Sequence, residues 1–230
     1  MCGRSSLHDH PTNILERFHL PPVLPGFEPH FNIAPSQLQW TVARDGAESP
    51  EVRRLKWGLV PSFADDPAIG NRLINARAES LADRSAFRNS FRDRRCVILA
   101  DGYYEWAGTG KNRRPNYFRL SDGRAFGLAG LWDRWERDGE ILETCTVITT
   151  DAGSRAAQVH NRMPVLLVDD VVTGWLDVGS TERELRSMMT AYDGEDLELF
   201  EVSRLVNSPA NDSAECIQRV TPEPPELLLL

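Results

Sequence analysis

The pattern of apolar and polar positions along the chain predicts many short strands and few helices. Alternating or continuous apolar runs predict strands within residues 38–46, 51–59, 95–106, 116–135, 143–150 and 196–203. Helix-like spacing of apolar residues predicts helices at 12–20, 85–93, 169–177 and 180–192. Strands with scattered short helices favour an α+β fold, and the absence of an obvious linker favours one domain.

Glycine and proline mark the turns between these elements. Asp101-Gly102 interrupts one apolar run, and Asp122-Gly123 predicts a two-residue hairpin turn inside residues 116–135. The proline-rich residues 21–35 are expected to form a loop. Thr12 and either Ser180 or Thr181 are candidate helix N-caps. The sequence therefore predicts one domain over residues 1–220, followed by a flexible tail at 221–230.

Composition places the chain among globular proteins. The 230 residues are 41% hydrophobic and 26% charged, which is typical of a soluble domain large enough to bury a core. No apolar run reaches the length of about 18 residues needed to span a membrane, and the start lacks the apolar run of a signal peptide. We expect a cytoplasmic monomer without a membrane partner.

Charge is distributed unevenly along the chain. The net charge of −8 argues weakly against nucleic-acid binding. Residues 71–95, however, hold seven arginines and only three acidic residues. This stretch predicts either a local basic surface that attracts a phosphate backbone or an ordinary solvated helix face.

The four cysteines do not have the spacing of a metal site. None forms a C-x-x-C pair, and the short run of His8, Asp9 and His10 is too small for a ligand set, so no metal is expected. Cys96 and Cys145 lie in apolar runs and are expected to be buried. The remaining candidate for chemistry is Cys2.

Cys2 becomes the N-terminal residue if Met1 is removed. It then carries an α-amine, partly neutral near pH 7, beside a thiol. The amine can condense with an aldehyde to an imine, which the thiol traps as a five-membered thiazolidine. A thiolate could instead attack an amide as a hydrolase nucleophile. Most proteins that begin Met-Cys use the cysteine for neither purpose, so position alone leaves all three readings open.

Polar residues in three later segments are further candidates. Asn75, Arg77 and Glu79 alternate along a segment that would present them to one side if extended. Glu105 stands between two aromatic residues, which favours partial desolvation and proton transfer. His160 lies in a predicted loop. Each has an ordinary structural explanation when taken alone.

Ten sequence blocks in order resemble the SRAP family, the SOS response-associated peptidases also called abasic site processing proteins. The blocks are MCGR, FNIAP, WGLVPS, INARAES, RCVILADGYYEW, GLAGLWD, VITTDA, HNRMPVLL, WL at 175–176 and VSRLVN, covering residues 1 to about 207. The resemblance implies a β-rich domain with a central, mostly antiparallel, barrel-like sheet and short peripheral helices.

The resemblance also implies a function. Such proteins sense abasic sites in single-stranded DNA and form a covalent thiazolidine crosslink through the N-terminal cysteine, which shields the damaged strand. The peptidase label refers to self-removal of Met1, and strand cleavage through the Schiff base is an expected lyase side reaction. No metal or organic cofactor is implied. Association with the nucleoid would follow DNA binding.

Four residues match the family's active site. Cys2 matches the nucleophile, Asn75 the amide that orients the sugar and terminus, Glu105 the carboxylate of the imine chemistry, and His160 the acid/base. The resemblance assigns DNA contacts to a second set of residues: Arg4, Phe63, Arg77, Trp106 and Arg162.

Departures from the family pattern concern the DNA contacts. Phe63 replaces the more common tryptophan, Ser80 a threonine and Ser85 a proline. Two alternatives remain open at this point. One is an N-terminal-nucleophile amidohydrolase, such as a glutaminase, and the other is a single-stranded DNA-binding module without catalysis.

Overall fold

The computed structural model of the chain describes residues 2–46 and 48–220. Its strands are β1 Ser5–Leu7, β2 His30–Ile33, β3 Leu38–Ala43, β4 Glu51–Trp57, β5 Asn75–Arg77, β6 Arg95–Ala100, β7 Gly102–Ala107, β8 Arg114–Leu120, β9 Phe126–Arg137, β10 Glu140–Asp151, β11 Arg162–Pro164, β12 Leu166–Leu167 and β13 Leu197–Glu201. Its α-helices are α1 Thr12–Leu15, α2 Ser85–Asp93, α3 Val171–Leu176 and α4 Glu182–Met188. The tail predicted at 221–230 lies outside the described residues.

Five strands close into a barrel. They follow the order β10-β4-β3-β6-β9, and pairing of β9 with β10 closes the ring. The pairs are antiparallel except β4 with β10, which run parallel. Strands β5 and β11 extend the sheet along β10, and β12 pairs with β9. This confirms the predicted α+β class and its mostly antiparallel, barrel-like sheet.

A second, five-stranded antiparallel sheet carries the N-terminus. Its order is β13-β8-β7-β1-β2, so β1 lies between β2 and β7. One buried cluster joins this sheet to the barrel, with Cys2, Tyr103 and Phe118 on one side and Trp57 and Trp132 on the other. The start of the chain is therefore held inside the protein rather than at its edge.

The predicted hairpin over residues 116–135 is wrong. Strand β8 belongs to the five-stranded sheet, whereas β9 belongs to the barrel. The chain changes sheets in the segment that contains Asp122-Gly123. The two-residue hairpin turn is instead Asp138-Gly139, which joins β9 to β10 with φ values of 52° and 82°. Two consecutive positive φ values are the requirement of the type I′ turn, and the sequence offers Asp-Gly at both places.

Local predictions at the chain's start also needed correction. The proline-rich loop at 21–35 contains β2, and Ser5–Leu7 forms β1, which the sequence pattern did not predict. Thr12 is the first residue of α1 rather than its cap. Thr181, in contrast, caps α4 in a capping box with Glu184, as expected. Among the described residues, no helix is long and apolar enough to cross a membrane.

Candidate functional site

Cys2 lies in the buried cluster between the two sheets, with 1% of its surface exposed. Strand β1 fixes it there, because that strand hydrogen-bonds to neighbours on both sides. Two effects raise the pKa of the Cys2 thiol to about 12: burial is the larger, and the negative charge of Glu105 is the second. The sulfur is therefore a protonated thiol near neutral pH and needs a base before it can attack.

Asn75 connects the N-terminal segment to the barrel. Strand β5 runs parallel to β10, and from it the Asn75 amide Nδ2 donates to the Cys2 carbonyl oxygen at 2.7 Å. The other amide atom, Oδ1, is buried and has no hydrogen-bond partner among the described residues. Asn75 thus holds the backbone of Cys2 through Nδ2, and its Oδ1 is a buried hydrogen-bond acceptor beside Cys2.

Glu105 and His160 form a carboxylate–imidazole pair beside this point. Glu105 lies on β7 and is 3% exposed. Its Oε1 is 3.4 Å from His160 Nδ1, and the Arg162 backbone N–H donates to the same Nδ1 at 3.0 Å. A carboxylate and an imidazole at this distance form a pair of the kind that general acid–base catalysis uses.

Four separate segments contribute to this arrangement. Cys2 precedes β1, Asn75 begins β5, Glu105 lies on β7, and His160 precedes β11. Cys2 interacts directly with Asn75 and electrostatically with Glu105, which in turn meets His160. Chemically, this combines a thiol, an amide and a proton-transfer pair within one largely buried site.

Arg4 and Trp106 border the site but are engaged by other residues. The Arg4 guanidinium donates to Asn32 Oδ1 at 2.8 Å and to the carbonyl oxygens of Val206 and Asn207. Trp106 Nε1 donates to Asn207 Oδ1 at 2.7 Å, and the Arg4 guanidinium lies 5.9 Å from the Trp106 ring centroid. These contacts tie the chain start to the segment near residue 206.

Arg162 is held inside a polar network. Its guanidinium binds both Glu79 oxygens at 2.8 and 3.0 Å, Asp151 at 2.7 Å and the Thr149 carbonyl at 2.7 Å. The side chain is largely buried. Arg162 therefore links three parts of the chain: β10, β11 and the 3₁₀ turn Ala78–Ser80 that follows β5. Asn75 and Arg77 lie on the extended strand β5, as the alternation predicted. Glu79 does not, because it lies in that 3₁₀ turn.

Arg77 and Phe63 are exposed. Arg77 ends β5 two residues beyond Asn75, and Phe63 is 59% exposed in the loop after β4. The remainder of the arginine-rich stretch is divided. Arg84 just before α2 and Arg88 within it are exposed, whereas Arg95 is buried and donates to carbonyls at the ends of α2 and α3. The basic run is therefore partly surface and partly structural.

Sequence reasoning missed residues that hold the N-terminal strand. The buried Asp101 carboxylate accepts hydrogen bonds from Ser6 Oγ at 2.6 Å and from the backbone N–H groups of His8 and Asp9. Tyr103 is fully buried on the same strand as Glu105 and two residues from it. Period-two alternation along β7 was the available signal, since it places Tyr103 and Glu105 on one face.

Comparisons with known proteins agree with this architecture. The family model "SOS response associated peptidase (SRAP)" matches residues 1–209. The abasic site processing protein YoqW of Bacillus subtilis is 40% identical over 223 residues, covering 95% of this chain and 99% of its own. The abasic site processing protein HMCES of Gallus gallus is 30% identical over 223 residues, covering 83% and 66% respectively.

A solved structure of a Bacteroides thetaiotaomicron protein superposes with a TM-score of 0.84 at 24% identity, covering 96% of this chain and all of that one. That likeness concerns the fold. The family model and the sequence relatives show that this chain belongs to the SOS response associated peptidase (SRAP) family.

Proposed function

We propose that this protein captures abasic sites in single-stranded DNA as a covalent thiazolidine crosslink at Cys2. The observation that carries the proposal is the placement of Cys2 in a buried site that also contains Asn75 and the Glu105–His160 pair. Its sequence relatives are named abasic site processing proteins. An abasic deoxyribose opens to an aldehyde, the electrophile that an adjacent amine and thiol trap best.

The reaction needs two bond-forming steps. Once Met1 is removed, the Cys2 α-amine adds to the aldehyde carbon, and loss of one water gives an imine. The thiol then adds to the imine carbon, and its proton ends on the nitrogen. The product is a thiazolidine, equal in composition to protein plus DNA minus one water. The protein and the sugar supply every atom, so the proposal requires no metal or organic cofactor.

We assign the residues of the site to roles within these steps. The thiol is protonated near neutral pH because burial raises its pKa to about 12, so a base must assist it. We assign that role to Glu105. His160, 3.4 Å from Glu105, exchanges protons with it and with the sugar as the ring opens. Asn75 Nδ2 holds the Cys2 carbonyl, and the buried Oδ1 accepts from the α-amine or the sugar.

Two exposed residues are the foremost candidate DNA contacts in this proposal. Arg77, adjacent to the site along β5, is assigned to a phosphate, and Phe63 is assigned to stacking with a base. Trp106 offers a partly exposed ring at the other border. Arg4 and Arg162 are already engaged by protein acceptors, so their assigned phosphate contacts would add to those bonds. Each arginine–phosphate contact releases counterions from the DNA, so binding should weaken as the salt concentration rises.

Several finer points belong to the same proposal. Met1 is released by hydrolysis, in this chain itself or by a general aminopeptidase. β-Elimination from the imine competes with thiol addition and would cleave the strand as a lyase side reaction. We propose a single domain over residues 1–220 that acts as a monomer in the cytoplasm and associates with the nucleoid through DNA.

The decisive test is intact-mass measurement after mixing the protein with single-stranded DNA that contains one abasic site. Wild type should give the adduct that lacks one water, and Cys2→Ala should give none. Cys2→Ser retains the amine and should give an imine that heat reverses. A heat-stable Cys2→Ser adduct would refute the role of the thiol. Glutamine hydrolysis by wild type without any DNA adduct would instead favour an amidohydrolase.

A further inference from the structure

Two neighbouring tyrosines on β7 have opposite surroundings. Tyr104 points to the outer face of the five-stranded sheet, where its hydroxyl donates to the Phe31 carbonyl at 2.5 Å. Tyr103 points to the inner face, in the cluster that contains Cys2, and its ring stacks on Phe118 at 4.5 Å between centroids. Strand alternation places Glu105 on this inner face too.

The Tyr103 hydroxyl is buried and has no hydrogen-bond partner among the described residues. A buried hydroxyl in this state costs stability, and phenylalanine would fill the same space without that cost. The packing of the ring therefore does not explain the oxygen. Buried unsatisfied polar groups in native proteins are concentrated where function requires them.

Electrostatics show which groups lie near this hydroxyl. The pKa of Tyr103 is raised well above its ordinary value, first by burial and then by the negative charges that Cys2 and Glu105 can carry. The phenol therefore stays protonated and is a hydrogen-bond donor. Both groups that influence it are those the crosslinking reaction uses.

We propose that Tyr103 is a further functional residue of the ring-closing step, in which its buried hydroxyl donates a hydrogen bond to the Cys2 sulfur. This inference rests on the proposed crosslinking reaction. The thiol proton passes to the Glu105 carboxylate, and a sulfur electron pair forms the C–S bond to the imine carbon. The C=N π pair moves to nitrogen, which takes the proton back from Glu105. The Tyr103 hydroxyl keeps its own proton and stabilises the sulfur while it is negative.

The test compares Tyr103→Phe with Tyr104→Phe as a matched control. A hydrogen bond to a developing charge of this kind predicts that Tyr103→Phe slows thiazolidine formation about 10- to 100-fold. Imine should accumulate, and cyanoborohydride should trap more of it than in wild type. The pKa of the Cys2 thiol should rise. The free energy of unfolding should be unchanged or higher, since only an unbonded oxygen is lost.

Tyr104→Phe should show the reverse pattern, with lower stability from the orphaned Phe31 carbonyl and an unchanged rate of ring closure. If Tyr103→Phe closes the ring at the wild-type rate with an unchanged thiol pKa, the inference is wrong while the proposed function stands. If wild type itself forms no adduct with abasic DNA, the proposed function fails and this inference fails with it.

Discussion

Two buried carboxylates lie four residues apart, and each has a histidine at the same distance. Asp101 is 2% exposed with His8 Nδ1 at 3.4 Å, and Glu105 is 3% exposed with His160 Nδ1 at 3.4 Å. Burial and a histidine neighbour therefore do not distinguish them. The difference lies in the other groups around each carboxylate.

Both oxygens of Asp101 accept hydrogen bonds from the N-terminal segment. Oδ1 accepts from Ser6 Oγ, and Oδ2 accepts from the backbone N–H groups of His8 and Asp9. Ser6 Oγ in turn meets Tyr117 OH at 2.8 Å. This carboxylate fixes the end of β1 by satisfying donors that would otherwise be buried alone. Glu105 instead influences the thiol of Cys2 electrostatically and lies 3.4 Å from the imidazole of His160.

The N-terminal segment is anchored at two points. Asp101 holds β1 at its far end, and Asn75 holds the Cys2 carbonyl at the near end. Between these anchors, Cys2 is presented to Glu105. A carboxylate surrounded by fixed donors stabilises structure, whereas one surrounded by titratable groups is suited to proton transfer.

Glu105→Gln should produce the largest effect. Loss of the base should reduce the rate of adduct formation with abasic DNA about 10²- to 10⁴-fold, because the high-pKa thiol then has no acceptor for its proton. Intact-mass time courses measure this rate. Circular dichroism melting should show a fold close to wild type. A rate within about threefold of wild type would contradict the assignment of Glu105 as the base.

Asp101→Ala should mainly destabilise the protein. The buried Ser6 hydroxyl and the partly buried N–H groups of His8 and Asp9 would lose their carboxylate acceptor, which predicts a loss of about 2–4 kcal/mol in the free energy of unfolding. Urea denaturation followed by tryptophan fluorescence measures it. At temperatures where the variant is folded, adduct formation should remain within about tenfold of wild type. A stable variant that forms no adduct would reverse the distinction drawn between the two carboxylates.

The pH dependence of Cys2 alkylation should distinguish the carboxylates more finely. With a Cys2 pKa of about 12, the iodoacetamide rate should rise continuously from about pH 7 to pH 10, whereas an exposed thiol levels off above about pH 8.5. Glu105→Gln removes a negative charge that disfavours the thiolate. It should therefore lower the pKa of Cys2 and speed alkylation up to about tenfold at a given pH.

Asp101→Asn is the control, since Asp101 is not among the groups that shift the pKa of Cys2. Its alkylation profile, followed by peptide mapping at Cys2, should match wild type. Equal profiles for wild type and Glu105→Gln would show that Glu105 exerts no influence on the thiol.

His8→Gln should have the smallest effect. The His8 side chain is 21% exposed and stacks on Phe31, while its backbone N–H, which binds Asp101, is retained in the variant. We expect a change below about 1 kcal/mol in the free energy of unfolding and an unchanged adduct rate. The matched His160→Gln variant should slow adduct formation. Similar rates in both variants would remove the functional difference between the two histidine–carboxylate pairs.

The sequence supported the main elements of the fold because their patterns are local. Strands β3, β4, β6 and β13 and helices α2, α3 and α4 lie within the segments that periodicity predicted, and β7 and β10 overlap their predicted segments but extend beyond them. Strand pairing was harder to predict. An Asp-Gly pair indicates that the chain turns, but it does not indicate which sheet the next strand joins. Asp122-Gly123 and Asp138-Gly139 are alike in sequence, yet only the second joins paired strands. The third, Asp101-Gly102, needs glycine for space, since a Cβ there would lie 2.1 Å from Tyr117 OH.

For the candidate site, the sequence showed which side chains have suitable chemistry. The ordered sequence blocks predicted that these side chains belong to one site. The motifs alone predict Cys2, Asn75, Glu105 and His160 as site residues. Their catalytic roles stay predictions. The placement of Arg4 and Arg162 could not be foreseen, because their partners lie far along the chain, at residues 206–207 and at Glu79.

By itself, the sequence determined the chemistry available at the chain start and the β-rich class of the domain. An amine and a thiol on adjacent carbons follow from Cys2 and removal of Met1 alone. The tertiary structure decided that this cysteine is buried within the electrostatic influence of Glu105, that Asp101 anchors β1, and that Tyr103 lies in the same buried cluster as Cys2. The physical reason is that burial, desolvation and hydrogen-bond partners depend on residues distant in sequence, which only the packing of two sheets brings together.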